Sequence, residues 1–545
     1  MKILSIVVTF LLFMLVFIQP TFSQPRYHQD DIVTYADSRN TFCVDVGYRE
    51  VFVATDGGLW RFSRYNGEVL DPWFVGVGLH EAIPLTYGRV VLWHNESGTL
   101  WLATTRELLY QRNDSQTWYR FEDIQLTNRW IRSLGEAGDL VYVEVGGGEF
   151  FSIEPIGGRI QKLTGELPDG IRWVGRRGWK PHEYHHYNPI DYSLYFDRYR
   201  GVITDWEHNE YKPAYDCLNE YDSRRYICYP GLGLGIADER QNSLEILQLG
   251  PAGNDVRAIA LDDDGVIRIG GNNSGQKSGI TYFDRSEGLW DKYEERINIG
   301  LASHRVWDAL TIDGWVYFTT DQGLVFCEPD GDSWHTIDRF DGLAGLNLRA
   351  LAVSSGVLYI GGERGVNRFN LPEGPVWDSG SEALDNLLTS DLITDNDTVW
   401  AAGLQGVFRI PPNAPPESVT AGHVFSSVSA RTIAITKSRV WIGISHGIKA
   451  FDKTNGSWMD YSGSVYLNGG KPFNMTGNDS LLWVGTDKGL FRFNYIRGNW
   501  IEYGKREGLP HLRVQRLVLE ADTLWIGTPR GLTRFIWNRP ERDVF

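Results

Sequence analysis

The sequence predicts an all-β fold built from one four-stranded antiparallel unit that is repeated along the chain. Three observations predict it. A pattern of about 42 residues recurs, aromatic residues make up 13% of the 545 residues, and 60 glycines punctuate short apolar stretches. Glycine-bounded runs rich in aromatic and β-branched residues are typical of short strands joined by tight turns. A repeat of this length indicates one supersecondary unit used many times.

The repeat consists of an apolar–aromatic–apolar triplet, two small residues, a polar pair, a glycine and a second short strand. Clear copies are LWVGTDKGLFRF from Leu482, LWIGTPRGLTRF from Leu524 and LYIGGERGVNRF from Leu358. The aromatic position recurs at steps of 42, 41, 41, 42 and 42 residues along Tyr317, Tyr359, Trp400, Trp441, Trp483 and Trp525. Each repeat therefore supplies the same pair of strands.

The copy near residue 260 shows the whole unit. Residues 256–261 form strand A, 266–271 strand B, 279–284 strand C and 289–295 strand D, with the acidic turn 262–265 between the first two. Strand D carries a tryptophan followed three residues later by an aromatic or aliphatic residue, as in Trp290 and Tyr293. A four-stranded meander of this length is the size of a propeller blade, and blades bury their faces by packing around an axis. We therefore predict a β-propeller.

The ends of the chain predict how the propeller closes. The last repeat, from Leu524, lacks strand D, and residues 32–35 match the strand D residues 500–503. We expect the N-terminal strand to complete the last blade. About twelve repeats exceed the usual four to eight blades per ring, so two rings are expected. The predicted division is 24–130 with 380–545 in one propeller and 131–379 in the other; the alternative is one large ring over 24–545.

The first 23 residues resemble a secretory signal, because Lys2 precedes an apolar run over 4–18 that ends near Pro20. No second hydrophobic span follows, so we expect an exported chain, periplasmic or extracellular, without a membrane span after signal cleavage. The net charge of −16 argues against nucleic-acid binding by counterion release.

The four cysteines show no metal-ligand spacing. Cys217 and Cys228 flank a polar stretch that suits a hairpin turn, and a disulfide between them is one interpretation in an oxidising compartment. Cys43 and Cys327 lie in apolar strand patterns and are expected to be buried thiols. We expect no cofactor and no metal.

The segments from Leu482 and Leu524 resemble the two-component regulator propeller repeat. That repeat forms the extracytoplasmic sensor region of many hybrid two-component regulators in bacteria. The resemblance implies a sensing propeller, and sensing of carbohydrate fragments is common in the family. Family members continue into a small β-domain, a membrane helix and a histidine kinase, none of which the sequence shows. We therefore expect the sensory module without phosphotransfer chemistry.

The first candidate site is a ring of arginines near the start of strand A. Guanidinium groups bind carboxylates and sulfates with two parallel hydrogen bonds, so such a ring suits an anionic ligand at the channel mouth. The alternative is that these side chains bridge neighbouring blades. The five arginines are Arg132, Arg172, Arg257, Arg349 and Arg431.

The second candidate is a set of polar residues in the loops between strands B and C. They lie just before the repeat glycine and make one face of the propeller locally basic; the alternative is that they serve only as soluble turn residues. These residues are Gln322, Arg364, Gln405, His446, Lys488 and Arg530.

Two further stretches were considered as metal sites. The insertion 179–195 contains His182, Glu183, His185 and His186, whose spacing matches no established site and whose aromatic neighbours suit sugar or protein contacts instead. The acidic run 262–265 suits Ca²⁺, but a polar turn explains it without any ion, and that is the interpretation we favour.

The sequence therefore predicts an exported, non-catalytic binding or sensing propeller that recognises a ligand, such as a carbohydrate, or a protein partner. No catalytic residue is assigned, since no acid–base pair has a recognisable spacing. The alternative is an extracellular lyase or glycosidase acting on polysaccharide, because propellers also carry enzymes. A structural partner in an assembly is a third interpretation.

Overall fold

The computed structural model describes most of the chain. The described residues are 27, 29–77, 82–112, 117–175, 187–219, 223–262, 264–273, 279–329, 331, 333–371, 382–420, 429–462 and 464–538. Across these ranges, no helix has the length and apolar character needed to cross a membrane. The helical segments are single turns at Glu382–Asp385 and Ser464–Leu467, with 3₁₀ turns at Gln29–Asp31 and Lys505–Glu507.

The first described strand, β1 (Ile32–Tyr35), is followed by five sheets that we name blades N1 to N5. Blade N1 contains β2 (Thr41–Val46), β3 (Glu50–Thr55), β4 (Gly58–Ser63) and β5 (Val69–Trp73), and a small hairpin follows, β6 (Val75–Val77) with β7 (Ala82–Pro84). Blade N2 contains β8 (Gly88–His94), β9 (Thr99–Thr104), β10 (Leu108–Gln111) and β11 (Trp118–Arg120).

Blade N3 contains β12 (Ile131–Ala137), β13 (Leu140–Val145), β14 (Glu149–Ile153), β15 (Ile160–Leu163) and β16 (Arg172–Gly175). After β17 (Asn188–Pro189), blade N4 contains β18 (Leu194–Asp197), β19 (Val202–Asp205) and β20 (Glu210–Pro213). Blade N5 contains β21 (Asp216–Asn219), β22 (Arg224–Tyr229), β23 (Gly233–Asp238) and β24 (Ser243–Leu247), which pairs with β17.

Seven further sheets follow and are named blades C1 to C7. Blade C1 contains β25 (Ala258–Leu261), β26 (Val266–Gly270), β27 (Ile280–Asp284) and β28 (Leu289–Tyr293). Blade C2 contains β29 (Val306–Ile312), β30 (Trp315–Thr320), β31 (Leu324–Cys327) and β32 (Trp334–Ile337). Blade C3 contains β33 (Leu348–Ser354), β34 (Val357–Gly362) and β35 (Gly365–Asn370).

Blade C4 contains β36 (Thr389–Asp395), β37 (Thr398–Gly403), β38 (Gly406–Ile410) and β39 (Glu417–Ser418). Blade C5 contains β40 (Ala430–Ile435), β41 (Arg439–Ile444), β42 (Gly447–Asp452) and β43 (Trp458–Ser462). Blade C6 contains β44 (Pro472–Gly477), β45 (Leu481–Thr486), β46 (Leu490–Asn494) and β47 (Asn499–Tyr503). Blade C7 contains β48 (Arg516–Glu520), β49 (Thr523–Thr528), β50 (Gly531–Ile536) and the N-terminal strand β1.

The described residues thus form an all-β fold of propeller blades, as the repeat predicts. The second strand of a blade shows why the repeat is so apolar: in β30 every residue after Trp315 is buried. Because neighbouring blades cover both faces of this strand, its sequence is a nearly continuous apolar run. The outermost strand is covered less, and β28 alternates Trp290, which is buried, with exposed neighbours.

The predicted closure of the last blade is confirmed. Strand β1 pairs with β50 in antiparallel register, with Ile32 opposite Phe535 and Tyr35 opposite Leu532. The Thr34 and Thr533 hydroxyls are 2.8 Å apart within this pair. The N-terminal strand therefore supplies the fourth strand that the last repeat lacks.

Contacts between first strands connect blades C1 to C7 in a closed circle. Each first strand contacts the next, in the order β25, β29, β33, β36, β40, β44 and β48, and β48 contacts β25 again. The closing junction is hydrogen-bonded, since the Val256 N–H donates to the Thr528 carbonyl over 3.0 Å. In the N-terminal group, β2 contacts both β8 and β21, and β8 contacts β12.

These contacts divide the chain near residue 250, with β1 added to the C-terminal group. The predicted division differs, since it placed 131–379 in one propeller and joined 24–130 to 380–545. Successive repeats have similar sequences, so their order does not tell how many blades complete a circle. That number depends on the twist of each blade and its packing angle on the next.

A bulge recurs near the start of the first strand. One residue of that strand is skipped in the pairing register of eight blades, and a β-bulge re-aims the side chain it carries. The skipped residues are Phe42, Arg89, Arg132, Trp307, Arg349, Ser390, Arg431 and Phe473.

The residue after the bulge often joins one blade to the next. The Asp308 carboxylate accepts a hydrogen bond from the Leu351 N–H over 2.9 Å. The Asp391 carboxylate accepts the Ile433 N–H over 2.9 Å. The Asn474 side-chain oxygen accepts the Leu517 N–H, also over 2.9 Å. These bonds fix the first strands of neighbouring blades relative to each other.

The structure does not contain the proposed disulfide between Cys217 and Cys228, since both side chains are unoxidised thiols. The pairing of β21 with β22 places Cys228 opposite Asp216 and Cys217 opposite Ile227. Successive residues of a strand point to opposite faces of the sheet, so the two sulfurs lie on different faces. Cys43 and Cys327 are buried thiols, as predicted.

Candidate functional site

A stack of two guanidinium groups on one indole lies at the entrance to the C-terminal circle. The Cζ atom of Arg257 is 4.5 Å from the Trp307 ring centroid, and that of Arg349 is 3.8 Å from it. Because blade C2 lies between blades C1 and C3, its bulged tryptophan receives one arginine from each neighbour. Arg257 also pairs with Asp255 over 2.9 Å.

A second arginine–aromatic pair is contributed by blades C6 and C7. The Cζ atom of Arg513, just before β48, is 4.7 Å from the Phe473 ring centroid. Both groups line one cavity of about 210 Å³. The lining residues are Arg257, Trp307, Arg349, Ser390, Asp391, Phe473, Asn474, Arg513, Gln515 and Arg516.

The cavity also contains a carboxylate that serves the blade framework. Asp391 is buried, and one of its oxygens accepts hydrogen bonds from the Thr432 hydroxyl and the Ile433 N–H, over 2.8 and 2.9 Å. Its other oxygen accepts the Leu392 N–H over 3.0 Å. Burial raises the pKa of Asp391 to about 6 despite the opposing charge of Arg516. Both oxygens thus hold neighbouring strands in place.

The unsatisfied polar groups of the cavity are donors. The buried Trp307 Nε1 and Arg516 Nε atoms have no acceptor among the described residues, although another nitrogen of Arg516 pairs with Asp308. The Arg349 guanidinium has no hydrogen-bond acceptor in the described ranges either; it stacks on Trp307, and the Glu363 and Asp321 carboxylates interact with it only electrostatically. Burial, and then the charge of Arg257, lower the pKa of Arg349. An oxyanion would satisfy these donors and reduce the repulsion between the arginines.

The five arginines predicted to form one ring are divided between four settings. Arg257 and Arg349 line the cavity, whereas Arg431 is exposed in the equivalent position of blade C5 and does not line it. Arg132 stacks on Trp130 in the N-terminal group, with 5.5 Å between Cζ and the ring centroid. The role of these residues in ligand binding remains a prediction.

The side chain of Arg172 is hydrogen-bonded to residues of three neighbouring blades. It lies on β16, which contacts β2 and β8 inside the N-terminal group. Its guanidinium donates to Asp45 over 2.6 Å and to Glu136 over 2.8 Å. It also donates to the Trp93 carbonyl over 3.0 Å, so it connects blades N1, N2 and N3.

The predicted loop residues lie on the same face as the cavity. The register places Val306, next to the bulged Trp307, opposite Thr320, where the loop of blade C2 begins. Each loop residue precedes a glycine with positive φ, from 104° at Gly365 to 139° at Gly447 and Gly489. Gln405 donates to the Asn386 carbonyl over 2.8 Å, and Arg530 approaches the Tyr87 hydroxyl at 3.4 Å. The predicted residues are Gln322, Arg364, Gln405, His446, Lys488 and Arg530, and their role in binding is untested.

Only one of the two candidate metal stretches lies within the described residues. His182, Glu183, His185 and His186 lie outside the described residues. In the acidic turn, Asp262 accepts the N–H groups of Asp264 and Val266, over 3.1 and 2.8 Å. Across the parts of the chain that the structure describes, no three histidine, cysteine or acidic side chains are grouped to hold a metal ion.

Sequence reasoning missed eight of the ten lining residues, among them Trp307, Asp391, Phe473, Arg513 and Arg516. Part of the signal was present, because Trp307, Arg349, Ser390, Arg431 and Phe473 follow one another at the 41- to 42-residue repeat spacing. A comparison of the arginines alone overlooks the repeats in which the same position carries an aromatic residue.

Comparisons with known proteins gave structural matches only. No protein-family model matches the sequence, and no curated protein matches it significantly. The chain is similar to the extracellular domain attributed to hybrid two-component system BT3049 from B. thetaiotaomicron, at 14% identity over 91% of this chain and 81% of that one, with a TM-score of 0.44. It is similar to PorZ, a surface component of the type-IX secretion system of Porphyromonas gingivalis, at 13% identity over 93% and 87%, with a TM-score of 0.48. It is also similar to virginiamycin B lyase from Staphylococcus aureus, at 15% identity over 51% and 94%, with a TM-score of 0.41. The propeller fold itself rests on the strand pairing described above.

Proposed function

We propose that this protein is an exported, non-catalytic binding propeller that recognises an anionic ligand at the cavity of blades C1 to C7. The observation that carries the proposal is the grouping of four guanidinium groups around one cavity, in which the side-chain donors of Arg349 and Arg513 have no hydrogen-bond acceptor among the described residues. A ligand that presents carboxylate or sulfate oxygens satisfies them without leaving a new polar group unpaired.

The charge of the cavity supports an anion rather than a neutral ligand. Four guanidinium groups line it, while Asp391 is the only carboxylate in the lining and both of its oxygens are hydrogen-bonded to blades C4 and C5. The protein as a whole has a net charge of −16, so the attraction is local. Anions are therefore bound through direct contacts with the arginines of the cavity, and the long-range electrostatic field of the protein does not attract them.

The ligand class follows from the shape and donors of the site. An acidic sugar carries an oxyanion for the guanidinium groups and hydroxyls for Ser390 and Asn474, which also line the cavity. Such a ligand agrees with the sensing role that the repeat sequence implies. A signalling output is not part of this proposal.

Calorimetric titration of the purified protein with galacturonate, galactose and sulfate tests it. We expect galacturonate and sulfate to bind, and galactose to bind at least tenfold more weakly. Arg349→Ala should weaken anion binding by roughly tenfold or more, since hydrogen bonds to charged groups are worth about 1.5–3 kcal/mol.

Arg431→Ala is the matched control, because Arg431 occupies the same bulge position outside the cavity. The proposal is wrong if neither anion binds, or if both variants weaken binding equally.

A further inference from the structure

The cavity has two arginine–aromatic stations, each contributed by different blades of the circle. The first station is Arg349 with Trp307 and Arg257, from blades C1 to C3. The second station is Arg513 with Phe473, from blades C6 and C7. In a circle of seven, blades C3 and C7 are separated by three steps, which is the largest separation that such a circle allows.

Each station presents a guanidinium group whose hydrogen-bonding capacity is not used by the protein. Arg349 and Arg513 have no carboxylate or carbonyl acceptor in the described part of the chain, and each is held by stacking on its ring. Stacking fixes the plane of a guanidinium group and leaves its edge N–H donors free. A fixed plane with free donors suits a carboxylate that approaches edge-on.

The space between the stations contains polar groups of the framework. Arg516 lies on blade C7 and pairs with Asp308 of blade C2. Asp391 of blade C4 accepts hydrogen bonds on both of its oxygens. Arg516 thus reaches from blade C7 to blade C2, and both stations line the same cavity, so a single ligand can contact both.

We propose that the ligand of this cavity is a molecule with at least two acidic groups, one bound by Arg349 beside Trp307 and the other by Arg513 beside Phe473. This inference rests on the proposed function, since it requires that the cavity binds anions. It adds the class of ligand: a dicarboxylate or an acidic oligosaccharide, bound across the mouth of the channel. Linking two acidic groups makes the second contact intramolecular, which raises affinity without any new kind of contact.

A series of simple carboxylates tests the inference. Succinate, adipate and suberate carry two carboxylates at increasing separation, and hexanoate carries one on the same six-carbon chain as adipate. Calorimetric titration of the full protein should give at least one dicarboxylate that binds tenfold or more tightly than hexanoate. The best chain length reports the separation of the two stations.

Two variants assign the second acidic group. Arg513→Ala should reduce the affinity of the best dicarboxylate to that of hexanoate, while the affinity of hexanoate itself changes less than twofold. Arg349→Ala should weaken both ligands. Arg431→Ala should change neither, and circular dichroism of each variant reports whether the fold is retained.

The outcomes separate the two proposals. If hexanoate and every dicarboxylate bind equally and depend on Arg349, the cavity binds anions but the two-station inference is wrong. If Arg513→Ala weakens hexanoate as much as the dicarboxylates, the inference is also wrong. If no carboxylate binds, both proposals are wrong.

Discussion

Asp216 shows how burial changes the chemistry of a single residue. Its side chain is buried in blade N5, where it accepts the Val44 N–H of blade N1 over 3.1 Å and the Cys217 N–H over 3.0 Å. Burial raises the pKa of Asp216 to about 7, even though these hydrogen bonds oppose the shift. Because the pKa is higher in the folded state than in the unfolded state, the group favours folding at low pH and loses this contribution as pH rises.

We predict that Asp216→Asn removes a pH-dependent part of the stability. The free energy of unfolding of the variant minus that of the wild type should increase by about 3 kcal/mol from pH 5 to pH 8. Each pKa unit that the wild-type carboxyl group crosses in this range corresponds to about 1.4 kcal/mol. Chemical denaturation of both proteins at pH 5, 6, 7 and 8 measures the difference. A difference that does not change with pH would show that the carboxyl group does not titrate in this range.

Arg172 shows the limit of assigning a role from position in a repeat. It follows the same pattern as Arg257 and Arg349 in the sequence, but it lies on β16, which pairs with the first strand of blade N3. There it neutralises the buried Asp45 carboxylate over 2.6 Å. A buried carboxylate requires such a partner, so Arg172 has a structural role in the N-terminal group.

At the scale of the element, strand β1 completes a blade whose other three strands are nearly 500 residues away in sequence. Val33 is buried, and it packs in a cluster with Trp525 and Leu532 of blade C7. Tyr35 donates to Asp71 over 2.6 Å, and Arg534 of β50 donates to the same carboxylate over 2.6 Å. The strand thus joins the C-terminal circle to blade N1.

We predict that Val33→Asp destabilises the protein by at least about 3 kcal/mol, because it buries an unpaired carboxylate between β50 and its neighbours. Thermal unfolding measured by circular dichroism reports the loss as a lower melting temperature. Asp30→Ala, a change of an exposed residue on the same segment, is the control and should leave the melting temperature almost unchanged. Equal melting temperatures for Val33→Asp and the wild type would show that β1 contributes little to closure.

At the scale of the whole molecule, His208 connects the two groups of blades. Its ring nitrogens lie 2.8 Å from an oxygen of Asp205, in blade N4, and 2.9 Å from an oxygen of Glu294, next to blade C1. The two carboxylates are almost fully buried. Removing the imidazole leaves both without this partner, although Lys292 still pairs with Glu294.

We predict that His208→Ala lowers the stability of the protein by about 2 kcal/mol, since hydrogen bonds to charged groups are worth about 1.5–3 kcal/mol. Scanning calorimetry should also show the two groups of blades melting more independently. His335→Ala, which breaks an exposed pair with Glu328, should change stability by less than about 0.5 kcal/mol. Identical calorimetric traces for His208→Ala and the wild type would contradict a connecting role.

The sequence by itself determined the blade, because its information is local. The spacing of Trp400, Trp441, Trp483 and Trp525 reflects a meander whose second strand is buried on both faces, and hydrophobic period and turn chemistry specify such a unit. The match between residues 32–35 and 500–503 also predicted the pairing of β1 with β50, since both segments are outer strands of the same repeat.

Only the tertiary structure decided which blades are neighbours and which side chains share a cavity. The contact of β48 with β25 places the boundary between the groups near residue 250, and similar repeats carry no label for their neighbours. Arg513 and Arg349 line one cavity although 164 residues separate them, because the circle of blades brings the two sides of the channel together. The register of β21 with β22 likewise separated Cys217 from Cys228, since a shift of one residue moves a side chain to the other face.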